Sequence, residues 1–270
     1  MCSLSNSFRL SEKRMKRTIY IGIISVMLLG SGCAWRSSFQ AAPKIEYYAE
    51  AKPVLPEGET YYVDPIDSSV VWSQEGVQVK VKFFSDQMLN AQYNPKVSPY
   101  TLYPWKDPRL GYTPPLWTVF EVTVINRTQE RVELDPTQVR LWLDNGNFYY
   151  CRQGVGLWSD PAHYFDYSYL KWGSRDGDIQ YYANFDRNDI WNRSEYVREK
   201  PVVKGNKYSG KLTFPRLPSD TKTVTLEVKN FILGFDRFAV GYGNPTEFTN
   251  LKFQFEISQG TREVARKPEK

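Results

Sequence analysis

The sequence contains few of the residues that bind transition metals or form disulfides, with one histidine and three cysteines among 270 residues. His163 has no cysteine or carboxylate cluster around it at the spacing of a zinc site. Gly-x-Ser-x-Gly and Walker-type motifs are absent. The pairs Ser168/Lys171 and Ser219/Lys222 match Ser-x-x-Lys, but the Ser-Asp-Asn and Lys-Thr-Gly motifs that accompany that nucleophile are missing. We therefore predict no catalytic residues, no metal and no cofactor.

Positive charge is also scarce once the start of the chain is set aside. The formal net charge is +5, but residues 1–32 carry five basic residues and one acidic residue, a net of +4. The rest of the chain is therefore close to neutral, at +5 − 4 = +1. Nucleic-acid binding requires a basic surface, so we expect no nucleic-acid partner.

Long hydrophobic runs are missing as well. The apolar run at residues 19–29 follows Lys16 and Arg17 and is too short to span a bilayer comfortably. Small residues then lead to Cys33. These are the parts of a secretory signal peptide, which we assign to residues 1–32. Met15 begins a more typical precursor, so residues 1–14 are a candidate upstream start that is not normally translated.

The end of this segment, Leu-Gly-Ser-Gly-Cys at residues 29–33, resembles a bacterial lipobox. The resemblance implies that Cys33 is lipidated, becomes the mature N-terminus and attaches the protein to a membrane. An ordinary cleaved signal and an uncleaved anchor are the alternatives. In the Gram-negative lipoproteins that this segment resembles, a residue such as Ala34 after the cysteine is compatible with export to the outer membrane. We therefore expect a lipid-anchored protein of the cell envelope, in the outer membrane.

The mature chain is predicted to begin with a tether and to lack disulfides. Residues 33–68 contain four prolines and no sustained periodicity, which predicts an extended tether. With Cys2 in the leader and Cys33 lipidated, Cys151 has no partner for a disulfide. We interpret it as a small apolar filler without a redox role.

Alternating apolar and polar residues predict β-strands over much of residues 69–258. The clearest runs lie at residues 77–83, 116–126, 208–214, 223–229 and 251–258. Residues 231–240 are apolar but less regular and predict a strand or a bent connection. The predicted core, between two sheets, is Val79, Val81, Phe120, Val122, Leu141, Leu212, Leu226, Phe253 and Phe255. Residues 259–270 are predicted to be a short, charged, mobile tail.

A hairpin is predicted at Asn145-Gly146, because this dipeptide favours a two-residue type I′ turn. That turn would pair Leu143 with Phe148 and Trp142 with Tyr149. The face carrying Val139, Leu141, Leu143, Phe148 and Tyr150 would then point to the core. Arg140, Trp142, Tyr149 and Cys151 would point outward.

The motifs of these strands resemble the immunoglobulin-like domains of bacterial envelope lipoproteins. The resemblance is carried by the segments at residues 120–126, 135–136, 144–146 and 210–214, together with Leu141. We therefore predict an all-β, immunoglobulin-like antiparallel β-sandwich with a long aromatic-rich insertion at residues 152–201. The resemblance implies an adhesive or assembly role and supplies no catalytic residues.

The insertion contains the candidate contact residues. Aromatic rings beside Asp and Asn are typical of both sugar sites and protein contact patches. A satellite core beneath the insertion is the structural alternative. We expect the insertion to cover the outer face of the hairpin and to leave its far side for a ligand or partner. The candidates for that surface are Trp158, Trp172, Tyr181, Tyr182 and Trp191.

Two functions remain open from the sequence. The first is a non-catalytic, lipid-anchored interaction or assembly module with an envelope protein as partner. The second is a glycan-binding module, or a glycan-cleaving enzyme that uses insertion carboxylates near Trp172 and Trp191. The acidic loop residues, such as Asp176 and Asp189, lack the glycine and closing glutamate of an EF-hand, so we interpret them as a solvated loop.

Overall fold

The chain forms an all-β, immunoglobulin-like antiparallel sandwich, as the sequence predicted. The computed structural model describes residues 43–56, 60–152, 167, 170, 177–197, 200–236 and 243–264. All of the sandwich except Lys44, the first residue of its first strand, lies within the compact unit Ile45–Val264. Among the described residues, no helix is both long enough and apolar enough to cross a membrane.

Two five-stranded sheets build the sandwich, and we call them sheet A and sheet B. The strands of sheet A are β1 (Lys44–Val54), β7 (Val139–Leu143), β8 (Phe148–Tyr150), β11 (Thr223–Phe235) and β12 (Pro245–Val264). Those of sheet B are β2 (Tyr61–Val63), β3 (Val70–Gln74), β4 (Val77–Phe84), β5 (Trp117–Asn126) and β10 (Lys207–Pro215). The strand order is β1-β12-β11-β7-β8 in sheet A and β10-β5-β4-β3-β2 in sheet B.

Shorter elements complete the fold. A small two-stranded sheet is formed by β6 (Arg131–Val132) and β9 (Val202–Val203), and a 3-10 turn covers Pro136–Gln138. Helix α1 covers Asp86–Gln92, and helix α2 covers Gly177–Ser194. The side chain of Ser85 caps α1 by accepting a hydrogen bond from the amide of Met88.

The alternating residues meet in the core as predicted. Antiparallel pairing places Val81 opposite Val122 and Phe120 opposite Leu212, so their side chains line one face of sheet B. All nine predicted core residues are buried, none more than 1% exposed. Phe120 lies at the centre, 5.4 Å from the ring of Phe255 in the other sheet.

The loop of the predicted hairpin differs from the type I′ turn that the sequence suggested. A positive φ is found at Gly146 (81°) and not at Asn145. The amide of Leu143 donates to the carbonyl of Asn147 at 2.8 Å, and the amide of Gly146 donates to the carbonyl of Leu143 at 3.1 Å. The loop therefore contains three residues, Asp144 to Gly146, with the glycine in the left-handed region.

This extra loop residue shifts the register by one, so our predicted pairing was wrong. Trp142 pairs with Phe148 and Leu141 pairs with Tyr149. Because side chains alternate between faces, the shift inverts both faces of β8. Tyr149 packs against the core, whereas Phe148 points outward on the same side as Trp142.

Part of the predicted tether and part of the predicted tail belong to the sandwich instead. Residues 44–54 form β1, the edge strand of sheet A, and residues 61–63 form β2, so both lie in the sandwich. Likewise β12 continues to Val264, six residues past the predicted end at residue 258. Of residues 231–240, predicted as a strand or a bent connection, residues 231–235 are the end of β11, which is irregular after Val228, and residues 237–240 lie outside the described residues. Edge strands are half exposed, and their apolar pattern is correspondingly weak.

Candidate functional site

Helix α2, the described helical part of the insertion, packs on the outer face of sheet B and buries Trp191. The indole ring stacks on Tyr100 at 5.2 Å between centroids and meets Trp117 edge-on at 6.5 Å. Together with Leu89 and Val119, Trp191 and Tyr100 form a hydrophobic cluster separate from the sandwich core. At 1% exposure Trp191 cannot contact a partner, so the prediction for this residue was wrong and the satellite-core alternative holds for it.

Of the other four insertion candidates, the structure describes the side chain of Tyr182 only. Tyr182 lies on α2 and is 71% exposed, as a contact residue must be. Tyr181 is in the same helix, but its side chain lies outside the described residues. Trp158 and Trp172 also lie outside them, as does His163. Within the described part of the chain, no three His, Cys, Asp or Glu side chains group as metal ligands.

Cys151 is buried, as we expected, but it is buried in the sandwich core rather than beneath the insertion. We expected the insertion to shield this thiol on the outer face of the hairpin. Instead the register shift turns Cys151 into the sandwich core, where it is 8% exposed. Burial raises the pKa of its thiol to about 12, far from the value of a reactive thiolate.

A groove of about 430 Å³ separates α2 from strands β5 and β10. Its lining is about equally polar and apolar, and the polar side chains include Gln92, Glu121, Arg193, Ser209 and Lys211. The Lys211 ammonium lies 3.0 Å from the Glu121 carboxylate at the base of the groove. The Lys211 side chain is 1% exposed, while that of Glu121 is 32% exposed.

The environment of Lys211 indicates an anchor rather than a reactive amine. Burial lowers its pKa, and the Glu121 carboxylate acts in the opposite direction. The ammonium also lies 3.7 Å from the centre of the Phe84 ring and 5.8 Å from that of Tyr93. A carboxylate and two ring faces surround the cation, which holds β10, β5 and the residues flanking α1 together.

Sheet A carries a different surface at its β7–β8 edge, which we call the aromatic–arginine patch. The patch consists of Arg140, Trp142, Phe148 and Tyr150. The rings of Trp142 and Phe148 are 4.8 Å apart, and those of Phe148 and Tyr150 are 5.1 Å apart. The Arg140 guanidinium lies over both Phe148 and Tyr150, 4.9 and 5.5 Å from their centroids. Tyr150 is 59% exposed.

A hydrogen bond fixes the orientation of the Trp142 ring within the patch. The indole N–H of Trp142 donates to the Glu227 carboxylate at 2.8 Å. The other oxygen of Glu227 lies 4.0 Å from the Lys252 ammonium. Glu227 therefore hydrogen-bonds Trp142 rather than Arg140, its cross-strand neighbour. The ring of Trp142 is held in place without help from Arg140.

Sequence reasoning missed the patch because it depends on the loop. With a two-residue turn, Phe148 and Tyr150 fall in the core. A three-residue loop places them outward beside Trp142. A glycine at the third loop position is the signal for this alternative, and Gly146 supplies it.

Comparisons with known proteins add little. No known protein family matches the sequence, and no curated protein matches it either. Among solved structures the chain is similar to MPT63, a secreted protein from Mycobacterium tuberculosis, with 14% identity and a TM-score of 0.24. That similarity covers 63% of this chain and 83% of the other. A TM-score at this level does not establish a shared fold.

Proposed function

We propose that this protein is a lipid-anchored, non-catalytic lipoprotein of the cell envelope whose β-sandwich binds a protein partner. The observation that carries the proposal is the aromatic–arginine patch on sheet A. Tryptophan, tyrosine and arginine are the residues that most often dominate protein interfaces. Here all three stand together on an outer sheet face, and Tyr150 is 59% exposed. The lipobox-like segment ending at Cys33 supports the anchoring part of the proposal.

The geometry of the patch favours a protein over a glycan. Sugars stack on ring faces that are flat and accessible. The planes of Trp142 and Phe148 differ by 47°, and those of Phe148 and Tyr150 by 83°. Moreover, the Arg140 guanidinium covers one face of each of the last two rings. An uneven surface of edges and one cation suits the side chains of a protein.

Photo-crosslinking in the bacterial host tests the binding surface. A photoreactive phenylalanine analogue at Tyr150 is expected to give one protein adduct of defined mass. The matched control is the same analogue at Phe248, which is on β12 and is 52% exposed. The Tyr150 adduct should disappear in Phe148→Ala, which removes the ring next to it. Equal adducts at the two positions, or none at Tyr150, would contradict the proposal.

Fatty-acid labelling tests the anchor separately. Metabolic labelling with a fatty-acid analogue should mark the wild-type protein and not the Cys33→Ala variant. The Cys151→Ala variant is the control, because it removes a buried thiol and should retain the label. Labelling of wild type and Cys33→Ala to the same extent would rule out lipidation at Cys33. Fractionation of the membranes then tests the expected outer-membrane location.

A further inference from the structure

We propose that Arg140 binds an aspartate or glutamate side chain of the partner protein and thereby determines which segment the patch accepts. This inference rests on the proposed function and adds the chemistry of the partner. It implies selective binding, because an aromatic surface alone would accept many apolar segments. The cation at its centre makes the surface selective.

The charges around Arg140 support an acidic partner. Among the described residues, no carboxylate lies within ion-pair distance of Arg140, and its contacts are the rings of Phe148 and Tyr150. Glu227 is the cross-strand partner of Arg140, but its carboxylate accepts the indole N–H of Trp142 at 2.8 Å and forms no ion pair with Arg140. Taken together, Arg140, Glu227 and Lys252 carry a net charge of +1 − 1 + 1 = +1. A basic or neutral segment would leave this positive charge uncompensated.

The position of the guanidinium explains why a carboxylate fits. Ring faces are the contacts of the guanidinium within the described residues, and none of its N–H groups donates to a described oxygen there. Those N–H groups can donate two parallel hydrogen bonds to one carboxylate. The neighbouring rings of Trp142 and Tyr150 would then contact apolar side chains beside that carboxylate. We therefore expect a partner segment with an acidic residue flanked by apolar ones.

A displayed library of random peptides with amidated C-termini provides the probe. Selection on the full-length wild-type protein should enrich peptides that contain Asp or Glu next to apolar residues. For such a peptide, Arg140→Gln should raise the Kd by roughly tenfold or more, as expected for a lost charge-assisted contact. Arg140→Lys keeps the charge but lacks the planar fork, so it should restore only part of the affinity.

The matched control is Arg216→Gln, which removes an exposed arginine after the end of β10 and should leave the Kd unchanged. Replacing the acidic residue of the peptide by its amide should raise the Kd for the wild type by the same factor as Arg140→Gln does. Combining the amide peptide with Arg140→Gln should raise the Kd no further. The inference is overturned if selected peptides lack acidic residues, or if Arg140→Gln binds them as well as wild type. Arg140-dependent binding to anionic phosphatidylglycerol vesicles in place of peptides would also overturn it.

These outcomes are distinct from failure of the proposed function. If Tyr150 crosslinks to a protein but Arg140→Gln leaves that adduct unchanged, the patch still binds protein and only the acidic chemistry is wrong. If Tyr150 gives no adduct and no peptide is enriched, the interaction role itself is wrong.

Discussion

The indole N–H of Trp191 donates a hydrogen bond to the carboxylate of Glu195, 2.7 Å away at the end of α2. Burial raises the pKa of this carboxyl from 4.5 to about 7, and the bond from Trp191 opposes the increase only in part. The folded protein therefore binds this proton more tightly than the unfolded chain does. The contribution of Glu195 to stability is complete below pH 4.5 and is lost as the pH rises through about 7.

We expect the Tm of the wild type to fall between pH 5 and pH 8 more steeply than that of Glu195→Gln, which cannot ionise. The groups facing Glu195 include Tyr100, Tyr208 and Cys151; burial raises the pKa of each, so all three remain neutral in this range. The exposed Glu256→Gln is the control and should retain the wild-type slope. Equal slopes in wild type and Glu195→Gln would show that Glu195 is not the titrating group.

The central phenylalanine of the core provides a test of the sandwich itself. Phe120 is fully buried and contacts the rings of Phe214 and Phe255. Phe120→Ala should lower the free energy of unfolding by about 3–5 kcal/mol, from lost burial and the cavity left behind. Phe248→Ala removes the same ring from a site that is 52% exposed and should cost about 1 kcal/mol or less. Denaturant unfolding measures both, and a loss below about 1 kcal/mol for Phe120→Ala would contradict the register of β5.

The period-two alternation of β4 and β12 was sufficient to predict the sandwich core. Val79 and Phe253 are buried because apolar residues on one side of a strand have one face on which to pack. The edge strand β1 carries no such signal. It is half exposed along most of its length, and Pro53 made it look like a tether. Its pairing with β12 depends on residues about 200 positions away, which no local pattern reveals.

The candidate site was harder to predict than the fold. Trp191 sits in a polar helix, and its burial depends on Tyr100 and Trp117 from distant parts of the chain. The aromatic–arginine patch depends on a single loop residue that decides which face of β8 points outward. Composition identified the aromatic residues, but only the register assigned Phe148 to the surface and Tyr149 to the core.

The ion pair between buried Lys211 and partly exposed Glu121 should lose different amounts of stability when one or the other residue is replaced. Glu121→Gln leaves an ammonium that is 1% exposed without its counter-ion, and we expect a loss of about 1–3 kcal/mol. Lys211→Met keeps the apolar stem beside Phe84 and leaves Glu121 partly in water, so we expect a smaller loss. The double variant should be more stable than Glu121→Gln alone. Urea unfolding of all four proteins gives the coupling, and strictly additive losses would show that the pair does not interact.

Cys151 provides the final test, because it reports on the register of the hairpin. In the observed pairing its thiol faces the core, is 8% exposed and has a pKa raised to about 12. In a chain that lacks residues 1–32 and carries Cys33→Ala, Cys151 is the one remaining thiol. A thiol reagent should modify it slowly in the native protein and rapidly in denaturant. Tyr150→Cys, at the neighbouring outward position, should react rapidly without unfolding. Fast modification of Cys151 in the native protein, together with slow modification of Tyr150→Cys, would show that the loop is the two-residue turn. The patch would then not lie on the surface.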